Sequence, residues 1–350
     1  MHGTPADHGF SFPPEWHPHR ATWISWPRPE GISFPGRYQE AIDDIAGVIR
    51  AVAARERVCL NVPNGNYERL VRGFLRARRV PLARVDFHHI PTNECWTRDH
   101  GPAFVLRRRR GRTEAAVVDW GYNAWGGKYS QYDADDAVPT RVAAALGLPV
   151  FHPGIVMEGG AVDFNGDGTV LTTRSCLLNP NRNPGKSQAR IEGYLRRYYG
   201  QRHVVWLGDG IEGDDTDGHV DDLARFLDPR TIAIGVERDP SDANHAVLQE
   251  NRRQLERARD QDGRPFRIVE LPMPRPVAHE GQRLPATYVN FYFVNGALLV
   301  PTFGQRARDA RAIATLQAHL PRRQVIGVPC RALIWGLGAI HCLTQQQPRF

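Results

Sequence analysis

No stretch of this 350-residue chain is apolar for long enough to span a bilayer, which sets aside a helical membrane protein. Met1 to Trp16 carries prolines and histidines in place of an apolar signal core, so no export signal is read there. The five cysteines (Cys59, Cys95, Cys176, Cys330 and Cys342) form no CxxC pair and keep no regular spacing. That excludes a disulfide framework and fits a reduced, cytoplasmic setting. Zinc-finger spacing, an RNP-type signature and a basic heptad are also missing. The formal charge of +7 and pI of about 9.4 therefore make a weak case for nucleic acid. The one dense basic run, Arg107 to Arg112, reads as the solvated tip of a hairpin. With no linker and no low-complexity tract, residues 1–350 read as a single domain.

What is present is the composition of a globular protein, 41% hydrophobic and 24% charged, arranged in a repeating order. Ala21 to Trp26 is an apolar strand closed by Pro27. Ile42, Ile45, Ile49 and Val52 recur at helical steps, and Val58 to Val62 is a short strand. Helices are then expected to begin near Asn66, Tyr132, Ser187, Ser241 and Ala307, roughly 55 to 66 residues apart. Each is followed by an apolar strand: Val85–Ile90, Pro149–His152, His203–Leu207, Phe266–Leu271 and Gln324–Val328. A loop rich in Gly, Asp or Pro comes next, then a strand pair, such as Ala103–Leu106 with Ala115–Trp120. Hairpins that keep interrupting the crossovers do not suit a doubly wound sheet. Five repeated ββαβ units suit a radial α/β arrangement of five small mixed sheets.

The loops after these strands carry the chemistry. They deliver Asp99, Glu158, His219 with Asp221, and Cys342, and a radial arrangement would bring them together near the axis. A thiol, an imidazole and three or more carboxylates make an anionic pocket in a basic protein, which suits a cationic substrate. Paired carboxylates match the planar fork of a guanidinium. Cys342 can attack the guanidinium carbon, displacing ammonia and leaving an S-alkylthiouronium. His219 can protonate the ammonia and then activate water. Asp99 and Asp221 would hold the guanidinium nitrogens, and Glu158 would orient His219 or stabilise its charge. This chemistry calls for no metal and no organic cofactor.

Seven segments in this order resemble the agmatine deiminase family of the guanidino-group-modifying (pentein) superfamily. They are Trp96 to Pro102, Asn123 to Gly127, Glu158 to Gly160, Leu177 to Pro184, Gly218 to Asp221, Tyr288 to Tyr292, and Ile340 to Pro348. The resemblance spans nearly the whole chain. It implies a five-bladed, pseudo-symmetric α/β propeller that hydrolyses agmatine to N-carbamoylputrescine and ammonia, with the roles above for Cys342, His219, Glu158, Asp99 and Asp221. It implies Asp215 as a further acidic substrate-binding position, and Trp96 and Trp125 as pocket walls. Related bacterial proteins deiminate peptidyl-arginine, which stands as the alternative substrate class, and a non-catalytic guanidine-binding protein is a third reading. The implied partner is a small cationic guanidine, with no nucleic acid and no membrane; a homo-oligomer is left open. Two departures stand out. Gly336-Leu337-Gly338-Ala339 replaces the family's Gly-Gly-Gly-Asn, and Cys95 precedes Trp96 where a small Ser or Ala is common.

Plainer readings compete at several positions. Asp214 to His219 is oxygen-rich enough for a hard cation, but its neighbours alternate direction and no second cluster accompanies it. Asp163 to Gly168 opens like a calcium loop, yet Arg174 occupies the twelfth position, so a Gly-rich turn between strands is expected. Asp99 beside Arg98 reads equally as an ion pair, and Trp96 and Trp125 as core aromatics. Strand alternation would put His219 and Asp221 on one side. Cys59, Cys176 and Cys330 read as core residues in apolar strands. Cys95 lies near the site but lacks a matched base.

Overall fold

The computed structural model describes residues 3–350. Among them are five small mixed sheets, each built on an antiparallel pair extended by a parallel third strand. Four sheets are contiguous in sequence. They are Ala103–Arg109, Arg112–Val118 and Val150–Phe151; Val162–Phe164, Thr169–Thr173 and His203–Leu207; Ala224–Asp228, Thr231–Val236 and Arg267–Pro272; and Tyr292–Val294, Ala297–Thr302 and Gln324–Pro329. In each, a helix links the second strand to the parallel third: Val138–Leu146, Gln188–Tyr199, Asn244–Arg257 or Arg306–His319. The middle strands Thr169–Thr173 and Thr231–Val236 are buried along their whole length, while the third strands are only partly buried, as outer edges are.

The first sheet differs from the expected unit. Its antiparallel pair joins the two ends of the chain, Thr344–Pro348 running against His19–Ser25. Tyr38–Ala53 then crosses to Arg57–Val62, and Gly65–Ala77 crosses again to an added edge strand, Val85–His89. The helix near Asn66 thus belongs to an extra crossover, and the true first unit is split between the termini. The polar tail of the sequence is therefore a buried strand in which each glutamine side chain makes a fixed hydrogen bond. Gln347 accepts from Trp23 Nε1 at 3.0 Å, Gln346 accepts from Arg98 at 2.9 Å, and Gln345 donates to the Pro102 carbonyl at 2.9 Å.

Local chemistry explains most element ends. Asn64 caps its helix by accepting from the amides of Asn66 and Tyr67, and Gly147 and Gly200 end theirs in the left-handed region. The expected helix near Tyr132 is two pieces, Asp133–Asp136 and Val138–Leu146, with Pro139 in the first turn of the second. The basic run does form a hairpin tip, turning at Arg110-Gly111, and Asn165 to Gly168 is a turn between strands. None of the described helices is long and apolar enough to cross a membrane.

A charged group sits where the sheets meet. Glu15 Oε2 accepts from Arg225 at 2.9 Å, His341 Nε2 at 2.7 Å and Arg98 at 3.3 Å; its Oε1 accepts from the Phe293 amide at 2.9 Å. Arg225 also donates to Asp163 at 2.9 Å and to the Phe291 carbonyl at 3.0 Å. All are buried, so each charge is held by fixed partners in place of water. Arg98 does not pair with its neighbour Asp99; it turns inward to this network and leaves Asp99 free for the opposite side.

Candidate active site

Each sheet's first strand is entered through a short turn, and these turns deliver the site. Asp99 lies in Thr97–His100, before Ala103–Arg109. Glu158 precedes the turn Gly159–Ala161, which leads into Val162–Phe164. His219 precedes Val220–Asp222, which leads into Ala224–Asp228. Cys342 lies in Ile340–Leu343, before Thr344–Pro348. The fourth turn, which carries no charged or nucleophilic candidate, supplies Asn290 just ahead of Tyr292–Val294. His219 and Asp221 share a side through a tight 3-10 turn, where strand alternation was expected.

These side chains converge on Gly160. A Cβ there would lie 2.5 Å from His219 Nδ1, 2.8 Å from Asp99 Oδ1 and 3.1 Å from Asp221 Oδ2, so only glycine leaves the space. The Gly160 amide donates to Asp99 Oδ1 at 3.0 Å, and Trp125 Nε1 donates to Asp99 Oδ2 at 2.9 Å. His219 Nδ1 stands 3.6 Å from Asp99 Oδ1. The Cys342 thiol donates to Asp221 Oδ2 at 3.7 Å, and the same oxygen meets His341 Nδ1 at 2.6 Å. His341 therefore bridges Asp221 to Glu15. Asn290 Nδ2 donates to Cys342 Sγ at 3.1 Å and to Asp222 at 2.9 Å, while its Oδ1 accepts from the His341 amide at 2.9 Å.

One expectation is narrowed and another corrected. Glu158 makes no hydrogen bond to His219; its Oε1 accepts from Arg182 Nε at 2.7 Å, and its Oε2 has no partner. The Arg182 fork arrives from the loop after Leu177 and also pairs with Asp217, so Glu158 acts on His219 through charge at a distance. Cys176 is not in a strand. It lies in the short helix Arg174–Leu177, with its sulfur within 4.8 Å of ligand atoms of both His219 and Glu158.

The electrostatics follow from burial among like charges. Burial pushes the Cys342 thiol well above its ordinary value, and Asp221, Asp222 and Asp99 push it further. Burial opposes a charged His219, but Asp99, the Cys176 thiol and Glu158 outweigh it and hold the imidazole well above its ordinary range. Burial raises Asp99, with Asp221 and Glu158 adding to it and His219 opposing. Burial would raise Asp221 as well, yet the bond and charge of His341 pull it below the usual carboxylate range.

Above Cys342 and Asp99 opens a cavity of about 200 Å³. Trp96 and Trp125 wall it, Tyr129 and Asp215 line one side, and Trp335 and Leu337 line the other. Tyr129 Oη donates to Asp215 at 2.7 Å, and the Lys128 ammonium lies 3.4 Å from the same carboxylate. Trp96 Nε1 donates to Ser33 at 2.9 Å. Leu337, where glycine was expected, keeps a left-handed backbone (φ 66°) that an L side chain rarely adopts. Cys95 is fully buried and does not line the cavity.

Comparison with known proteins agrees with this geometry. Residues 11–348 match the Porphyromonas-type peptidyl-arginine deiminase family. The chain belongs to that family. Agmatine deiminase from Pseudomonas fluorescens (strain Pf-5) is 38% identical, over 99% of this chain and 98% of that protein. The Enterococcus faecalis agmatine deiminase structure superposes with a TM-score of 0.90 at 31% identity, covering 100% of this chain and 98% of that one. A substrate-bound C. jejuni agmatine deiminase, a cysteine-to-serine variant, gives 0.87 at 30% identity, covering 97% and 96%. The fold is the mixed α/β pentein fold of these enzymes.

Proposed function

We propose that this chain hydrolyses agmatine to N-carbamoylputrescine and ammonia through a covalent intermediate on Cys342. The observation that carries the choice of substrate is the charge of the cavity. Asp99, Asp215 and Glu280 line it, and no lysine or arginine does among the described residues. A guanidinium with a cationic tail suits such a wall, whereas an α-carboxylate would find no lysine or arginine in the lining to pair with. The modest volume suits a small linear amine.

The guanidinium docks between Asp99 and Asp221, and its positive charge lets the Cys342 thiol give its proton to solvent in the cavity. Asn290 Nδ2 then donates to the thiolate. The thiolate attacks the guanidinium carbon to form the C–S bond. Protonated His219 gives its proton to the departing nitrogen, and ammonia leaves as the C–N bond breaks. Neutral His219 takes a proton from water as the water attacks the thiouronium carbon. The C–S bond then breaks as the proton of the new hydroxyl passes to the departing sulfur, which regenerates the thiol and releases the ureido product. Asp215, steadied by Tyr129, faces the tail, and Trp96 and Trp125 enclose its methylenes. Residues 1–350 act as one catalytic domain in this reading. The five unpaired, buried cysteines support a reducing cytoplasmic setting.

Acid quenching of the enzyme during turnover, followed by intact-mass measurement, tests the mechanism. The expected result is an adduct equal to agmatine less ammonia, absent in Cys342→Ala. Full turnover by Cys342→Ala would overturn it.

A further inference from the structure

Beside His219 lie two groups that the reaction leaves only partly used. The sulfur of Cys176, a nitrogen of His219 and a carboxylate oxygen of Glu158 all lie within 4.8 Å of one another, and all three residues are fully buried. Buried polar atoms normally have hydrogen-bond partners. Here Glu158 Oε2 has none, and the ring of His219 has no nitrogen or oxygen partner within hydrogen-bond distance, only the Cys176 sulfur beside it. Arg182 holds the other oxygen of Glu158 and fixes the carboxylate, as an outer-shell partner does for a ligand. The mechanism gives Cys176 no chemical step.

One sulfur, one imidazole nitrogen and one carboxylate oxygen form a donor set for a borderline-soft ion. Magnesium and calcium want all-oxygen shells and would be poorly served. Three protein ligands with a fourth position open is the pattern of an accessible zinc site. The nearest opening to this set is the cavity, which Asp99 lines 3.6 Å from His219.

We propose that Glu158, Cys176 and His219 form an inhibitory site for a single zinc-class divalent ion. An ion there engages a nitrogen of His219 as ligand and withdraws the imidazole from proton transfer. It also occupies the Glu158 oxygen left free by Arg182. The enzyme would thus be switched off by a metal without any metal taking part in its reaction. The inhibition rests on the function proposed above; the binding does not.

Cobalt(II) titration followed by absorption spectroscopy tests the binding, because a thiolate ligand to cobalt gives its own charge-transfer band. The band is expected in the wild type and in Cys342→Ala, and it should be missing in Cys176→Ser. If the serine variant does not fold, Cys176→Ala replaces it. Zinc should inhibit ammonia release by the wild type, and Cys176→Ser should need about 100-fold more zinc for the same inhibition, since even outer-shell losses cost about 10- to 100-fold. Persistence of the band in Cys176→Ser, or its loss in Cys342→Ala, would overturn the proposal; the second result would place the ion on the other compact set, Asp221, Asp222 and Cys342. No cobalt uptake at all would also overturn it. The band can be read in protein that turns over no substrate, so it fails or succeeds independently of the agmatine assignment.

Discussion

Asn290 Nδ2 points at the sulfur of Cys342 from 3.1 Å, while its Oδ1 receives the backbone amides of His341 at 2.9 Å and Cys342 at 3.4 Å. One neutral amide thus fixes the turn that carries the thiol and donates to the thiol itself. It is an uncharged donor beside a sulfur ringed by the carboxylates of Asp221, Asp222 and Asp99, and it acts alongside the backbone of Ala339. Replacing Asn290 with Ala is expected to lower kcat by about 10²-fold, the scale of losing one preorganised donor to a developing anion. An ammonia-release assay checks this, and an unchanged kcat would remove Asn290 from the account.

Gly160 makes a sharper steric prediction. Its Cβ position is shared by three site side chains, the nearest atom being His219 Nδ1 at 2.5 Å. Gly160→Ala must displace His219 or Asp99. Overpacking of this kind costs about 1–3 kcal/mol, so the variant should fold with a lowered Tm and lose nearly all turnover. A far-UV spectrum like the wild type's with normal activity would show that the turn can relax.

The free thiol should be a poor nucleophile until substrate arrives. Burial and three carboxylates raise Cys342, so alkylation of that thiol should rise only at strongly alkaline pH. A bound, unreactive guanidinium adds one positive charge beside the sulfur and should shift the alkylation profile to lower pH. Rates of iodoacetamide labelling at Cys342, with and without such a ligand, check the direction. A profile that ignores the ligand would contradict substrate-assisted ionisation.

Leu337 pairs a backbone cost with a wall. Glycine at this position would relieve the left-handed strain but add unfolded-state freedom, so Leu337→Gly should change stability by less than about 1 kcal/mol. The apolar face of the cavity would be lost, and KM for agmatine should rise several-fold with kcat held. A KM equal to that of the wild type would mean Leu337 does not touch the tail.

Asp135 supplies a pH test of the scaffold beneath the pocket. Its carboxylate accepts from the amides of Asn93 at 2.8 Å and Glu94 at 3.2 Å, positioning the loop that carries Trp96. Burial outweighs these bonds and pushes its pKa up to about 7. A raised carboxyl stabilises the fold most below its unfolded value of about 3.9. That stability is lost as pH rises toward 7, at roughly 1.4 kcal/mol per unit. Asp135→Asn keeps an acceptor and cannot ionise, so its stability should be flatter than the wild type's between about pH 4 and 7. Parallel denaturation curves across that range would show that Asp135 does not titrate there.

The sequence made the catalytic cluster readable because Asp99, Glu158, His219, Asp221 and Cys342 carry chemically distinct side chains at one recurring position, the entry to each sheet. Asn290 occupies the same position but is a neutral amide without charge or nucleophilicity. Only its place within Tyr288 to Tyr292 could have marked it. Glu15 and His341 were out of reach for another reason: their 2.7 Å contact joins positions 326 residues apart, across a closure that pairs the two ends of the chain. That closure also explains why the first unit was placed one crossover too late, at the helix near Asn66. Cys176 reads as core because it is core by burial; what it touches depends on how the short helix after Thr173 packs on His219.

The most direct test of the central claim is ammonia release from agmatine, free arginine and a peptide with C-terminal arginine, using wild type and Cys342→Ala side by side. The account predicts turnover of agmatine by the wild type, little with either carboxylate-bearing guanidine, and none by the variant. Preference for arginine or the peptide over agmatine would contradict the reading of the acidic cavity, and undiminished turnover by Cys342→Ala would contradict the chemistry itself.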